Sequence, residues 1–313
     1  MNKLNLLFIF LSLLCGCKKS GLKEPFPEKT NNNLKYFGFT LIDVGWDEPG
    51  DKSSKINYTD EVSNFCNIAD ILVTEPSANI MDRVEYMNSL GVKPILHLND
   101  MFFEKKSSGG GRSGVILGLR NDYQQRWDEF IAANNLTGNF SKIHSFYIGE
   151  EPAWNSIPEA EFKMACDYAK ATVPQVPIML IEAYLAIDYL YAPASVDYVG
   201  FDHYFLPSST KSSIYLSEHE TLKSRILSHQ KIFLVADTHW IKILHGSAGI
   251  SKNDMDFIAR EYYKFANTDT SIVGILGYFW PSGFDKKGST GARGLPNHVK
   301  KEYEKIGKAI TGK

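Results

Sequence analysis

Apolar residues along this chain keep two alternating rhythms. Short β-branched and aromatic runs of strand length recur between amphipathic stretches of helical length, which is the pattern of parallel βα units. It predicts strands at about 36–44, 70–74, 93–98, 143–149, 177–182, 197–201, 231–236 and 272–279. Eight such units are the number that closes a (β/α)8 barrel, so the fold class read here is α/β, a single TIM barrel over 34–313. Runs such as Ile232-Phe233-Leu234-Val235 imply strands buried on both faces. An open doubly wound sheet is the alternative fold, and no Gly-rich phosphate loop follows the first strand to support it. Ser156-Ile157-Pro158-Glu159 and Ser251 with Asp254 read as capping boxes, and Gly91 as the stop of a helix ending at Leu90. The long loop after the third strand carries Lys105-Lys106-Ser107-Ser108-Gly109-Gly110-Gly111-Arg112-Ser113-Gly114 without the ending of a phosphate loop. It reads as a mobile surface loop, placed where a lid over bound ligand would sit.

The amino terminus breaks this pattern. Lys3 precedes an apolar run, 4–14, that is short for a bilayer span, and Leu14-Cys15-Gly16-Cys17 follows. These residues resemble the lipobox of bacterial lipoproteins, which implies a signal peptide over 1–16, an acylated Cys17, and a body outside the cytoplasm, in the periplasm or on the cell surface. A plain secretory peptide is the other reading. Residues 18–33 are rich in Lys, Pro, Glu and Asn, have no apolar period, and read as a flexible tether from the anchor. With Cys15 and Cys17 so assigned, Cys66 and Cys166 remain in the body, where apolar surroundings favour buried free thiols. No spacing of Cys and His is of the metal-binding kind.

Composition adds an exclusion. The 34 basic and 36 acidic residues, net charge -2, form no long run of either sign, so nothing attracts a nucleic acid.

In barrels of this kind the reacting groups stand at the carboxyl ends of strands. The predicted endings are Asp43 with Trp46, Glu75, His97 with Asn99, Glu150 with Glu151, Glu182 with Tyr184, Asp202 with His203 and Tyr204, Asp237 with His239 and Trp240, and Trp280. Aromatic rings interleaved with carboxylates and His on one face suit a carbohydrate, because rings stack on the CH faces of sugars while polar groups bond hydroxyls.

Two of these segments go further. Phe146-Tyr147-Ile148-Gly149-Glu150-Glu151-Pro152 resembles the fourth-strand motif of clan A glycoside hydrolases, and 231–240 is similar to that clan's seventh strand. The resemblance implies that Glu151 is the acid/base and Asp237 the second carboxylate, with Glu150 standing where the clan has Asn and Asp237 where it has Glu. Val199-Gly200-Phe201-Asp202-His203-Tyr204 and Gly277-Tyr278-Phe279-Trp280 look like the sixth and eighth strand endings. They imply that His203 holds the second carboxylate and that Trp280, with Trp240 and Tyr204, forms a sugar platform. His97, Asn99 and Glu182 are further candidates for sugar hydroxyls. The expected function is therefore a glycoside hydrolase that needs no cofactor or metal. A glycan-binding lipoprotein that has lost the chemistry is the alternative, and a barrel acting on another substrate a third.

Overall fold

The computed structural model describes residues 24–313. Ten strands follow in chain order: β1 (Tyr36–Asp43), β2 (Ile68–Leu72), β3 (Lys93–His97), β4 (Phe103–Ser108), β5 (Val115–Leu119), β6 (Ser145–Glu150), β7 (Ile178–Ala183), β8 (Tyr198–Asp202), β9 (Lys231–Asp237) and β10 (Ile272–Tyr278). All but β4 and β5 close into one parallel barrel in sequence order, β1 pairing with both β2 and β10. The eight strands read from the sequence are these eight, and closure removes the open-sheet alternative.

Residue parity explains the two layers of core. In β9, Ile232, Leu234 and Ala236 face the surrounding helices, while Phe233 and Val235 fill the barrel interior with Ile68, Ile95, Tyr147, Met179, Ile181, Val273 and Leu276. Cys66 and Cys166 are buried free thiols, as expected.

Three local expectations need correction. Ser156 forms no capping box: the helix Glu159–Thr172 starts after Pro158 without a side-chain cap, and Ser156 Oγ instead accepts from Arg112 N at 3.2 Å. The box at Ser251 and Asp254 does form. The Gly-rich segment is an antiparallel hairpin of β4 and β5 rather than a mobile loop, with Gly109, Gly110 and Gly111 at φ of 85°, 93° and 67° turning its tip. The hairpin is docked: Ser113 N donates to Trp154 O and Leu117 N to Asn155 O, both at 3.0 Å. Finally, the expected tether is seated on the barrel from Glu24 onward. Asn31 is buried and its Nδ2 donates to the carbonyls of Ala266, Asp269 and Ile272, while Phe26 stacks on Tyr263 at 5.2 Å. Positions 1–23, including Cys17, lie outside the described residues.

Candidate active site

A bulge in β6 sets the position of the acids. Register with β7 shifts between Tyr147 and Gly149, so two successive residues, Ile148 and Gly149, turn outward. Only Gly fits at 149, because a Cβ there would stand 2.7 Å from Phe162 and 2.9 Å from Leu180. Glu150 thereby points in, where the Tyr147 hydroxyl donates to its Oε2 and His97 Nε2 lies 3.7 Å from the same oxygen. His97 packs on the Tyr147 ring at 4.5 Å.

Glu151 follows with φ of 47°, a left-handed conformation that costs a side-chain-bearing residue on the order of 1 kcal/mol or more and is concentrated at functional sites. Its N–H donates to Ile181 O and its carbonyl accepts from Asn155 N, both at 2.8 Å. Burial, then the charges of Glu150, Glu182 and Asp285, push the Glu151 carboxyl up to about 8. Asp202, at the end of β8 and 6 % exposed, faces the same acids. Its carboxyl is held well above the usual range by burial, then by Glu151, Glu150 and Glu182, against the opposing pull of the Tyr204 hydroxyl. Glu151 and Asp202 repel one another, so burial and mutual charge both disfavour ionising the two together. Tyr204 stacks on Tyr278 at 5.2 Å, and the Tyr278 hydroxyl donates to Asp285 at 2.9 Å.

Several expected site residues lie elsewhere. Trp280 is 4 % exposed: its ring meets Phe39 at 4.8 Å and its Nε1 donates to Glu61 at 2.9 Å, so it is core rather than a sugar platform. Trp240 sits on the rim with Nε1 donating to Ile250 O at 3.1 Å and the Lys252 ammonium 5.1 Å from its ring centre. His203 does not hold Asp237. Its Nδ1 is 2.6 Å from Glu218, and its ring stacks on Tyr184 at 3.8 Å. Asn99 is buried, its Nδ2 3.4 Å from Asp100 Oδ1. Glu182 is fully buried, and its oxygens accept from backbone N–H groups rather than facing the mouth.

Asp237 differs most from the expectation. It is 0 % exposed and accepts from Phe205 N at 2.8 Å and from His245 Nε2 at 3.1 Å, with His239 Nδ1 3.4 Å away. A carboxylate so enclosed does not present an oxygen to a substrate. The ligand-type atoms of Asp237, His239 and His245 all lie within 4.8 Å of one another, a spacing that a metal could use. The hydrogen bonds oppose it. His245 Nδ1 accepts from Ile241 N at 2.8 Å, so its proton sits on Nε2 and points at Asp237, leaving that nitrogen no lone pair for an ion.

Asp202, Tyr147 and Tyr278 are the members of the site that the motifs did not single out. Parity with the inward Tyr198 and Gly200 was the available signal for Asp202. Beside the mouth, a cleft of about 360 Å³ runs between Pro152, Ala153, Arg112 and Tyr189, with the Arg112 guanidinium 3.6 Å above the Tyr189 ring.

No family model and no curated protein matches the sequence. Solved structures do match. Xylanase 10B from Thermotoga maritima superposes with a TM-score of 0.56 at 11% identity, over 91% of this chain and 98% of that one. A GH113 β-1,4-mannanase gives 0.55 at 12%, over 87% and 99%. Gas2p from Saccharomyces cerevisiae gives 0.50 at 12%, over 90% of this chain and 63% of that one. At these identities the likeness establishes the fold alone, a closed eight-stranded parallel (β/α)8 barrel.

Proposed function

We propose that the protein is a glycoside hydrolase in which Glu151 protonates the leaving glycosidic oxygen and Asp202, in place of Asp237, is the second carboxylate. The observation that carries this is the gathering of acids at the strand ends, where the buried Asp202 and the partly buried Glu151 repel and both carboxyls are held above their usual range. One member then gives its proton to the departing oxygen while the ionised partner stabilises the developing oxocarbenium charge or directs water. Tyr204 and Tyr278 offer aromatic surface beside the pair, and Glu150, Tyr147 and His97 form a hydrogen-bonded cluster suited to sugar hydroxyls. Solved relatives of the same fold act on xylan and β-1,4-mannan by name, which makes β-1,4-linked oligosaccharides the first substrates to try. No cofactor enters this chemistry.

The second reading, a glycan-binding barrel without turnover, is favoured by the enclosure of Asp237. One experiment separates the two. Turnover of xylo- and manno-oligosaccharides from pH 4 to 9 should be bell-shaped. Glu151→Gln and Asp202→Asn should each lower it by about 10³-fold or more with affinity nearly kept, because the lost contact belongs to the transition state. Asp237→Gly supplied with azide should yield no glycosyl azide. Formation of that product would make Asp237 the nucleophile and remove Asp202 from the mechanism; binding without any hydrolysis across a broad panel would leave the binding barrel.

We further propose that Cys17 carries the lipid that holds this body outside the cytoplasm. The 4–17 segment supports it. Among the described residues, no helix is long and apolar enough to cross a membrane.

A further inference from the structure

Glu182, the next-to-last residue of β7, has no accessible surface, and no cation pairs with it among the described residues. Its carboxyl is spent on backbone. Oε2 accepts from Ala153 N at 2.8 Å, and Oε1 from Trp154 N at 3.0 Å and from Ala183 N at 3.2 Å. Ala153 and Trp154 lie in the turn that immediately follows Glu151. The residue before Glu182 completes the grip, since Ile181 O accepts the Glu151 N–H. Two successive residues of β7 thus hold both sides of the left-handed Glu151, one through its carbonyl and one through its side chain. A buried carboxylate is costly to keep, and an apolar residue would fill this volume more cheaply if packing were all that was required.

We propose that Glu182 is a positioning residue for Glu151: by gripping the N–H groups of Ala153 and Trp154 it holds the turn in the conformation that presents the Glu151 carboxyl at the barrel mouth. The proposal rests on the reading of Glu151 as the acid and adds a residue that touches no substrate. The hairpin of β4 and β5 extends the same clamp outward, because Arg112 Nη1 donates to Ala153 O at 3.0 Å and Ser113 N to Trp154 O. Charge acts alongside geometry. The groups facing Glu151 are Glu150, Glu182, Asp285 and Asp202, all acids, so an ionised Glu182 helps to keep the proton on Glu151. Burial pushes Glu182 itself up to about 7 against the pull of its three N–H donors.

The test compares wild type, Glu182→Gln and Glu182→Asp in the full chain. The readouts are kcat, KM and the titration of Glu151 followed by carboxyl carbon NMR, assigned with Glu151→Gln. Gln turns an amide NH2 toward one backbone N–H and removes the charge. Its kcat should fall about 10- to 100-fold, the scale of a misplaced reacting group, with KM within about twofold, and Glu151 should titrate at lower pH. Asp keeps the charge but cannot span both N–H groups, so kcat should fall while the Glu151 titration stays. Folded variants that lose only thermal stability, with kcat and the Glu151 titration unmoved, would overturn the proposal. Should Gln not fold, the Asp variant decides: a lower kcat with an unmoved titration supports the proposal, and an unchanged kcat overturns it. Should the wild type turn over no glycan, the titration decides alone. A downward move of Glu151 in Glu182→Gln upholds the coupling while the catalytic reading falls, and no move overturns both.

Discussion

Replacing Glu151 by Gln tests the electrostatics of the site without any substrate. In the folded protein the Glu151 carboxyl lies at about 8, above the ordinary 4.5. The fold therefore favours its protonated form. The stability tied to that preference is full below about pH 4.5 and is lost as pH rises through 8. Gln imitates the protonated carboxyl and has nothing to lose. That interval corresponds to at most about 5 kcal/mol at 1.36 kcal/mol per pH unit. Glu151 is only partly buried and repels Asp202, so we expect about 2 kcal/mol in practice. For a domain of this size that is about 4 °C in melting temperature. Thermal unfolding of both proteins should give closely similar midpoints at pH 5, and a Gln variant about 4 °C more stable than wild type at pH 9. A difference between the two proteins that is the same at both pH values would refute the reasoning, because only a titrating group produces a gap that opens with pH.

Two further outcomes follow from single contacts. Trp280→Ala should destabilise the barrel by about 3–5 kcal/mol in urea unfolding, chiefly by emptying core space beside Phe39, since Glu61 loses one donor but keeps Arg293 and Lys55, while leaving oligosaccharide affinity of the folded protein unchanged; a selective loss of affinity would return Trp280 to the sugar platform. Cys17→Ser should release the protein from membranes and abolish acyl labelling, and retention after a high-salt wash would remove the lipid anchor.

The barrel was legible because its strands are apolar on both faces and their number and spacing survive any error of a residue or two at the ends. The site was half legible. Glu150, Glu151 and His97 sit on or directly after a strand, so local pattern placed them at the mouth. Asp237 has the same local signature, but its side chain is claimed by His245 from the next helix and by Phe205 N from another loop, partners that no local pattern contains. Trp280 lies just beyond the end of β10, and which way an indole turns where the chain leaves the sheet is decided by the free volume beside Phe39. Glu182 binds backbone N–H groups, which every residue but proline carries, so its partners leave no mark in the sequence. The bulge in β6 shifts parity by one and brings Glu150 inward, a displacement visible only as the tight space around Gly149.

The seating of 24–33 on the barrel fixes the side from which the chain enters it. Glu24 is fastened to the helix Met255–Ala266 through Arg260 and Lys264, and Asn31 is pinned where β10 begins, at the end of the barrel away from the mouth. Anything that holds the protein by the chain just before this segment therefore grips the end opposite the mouth and leaves the mouth facing away from the point of attachment.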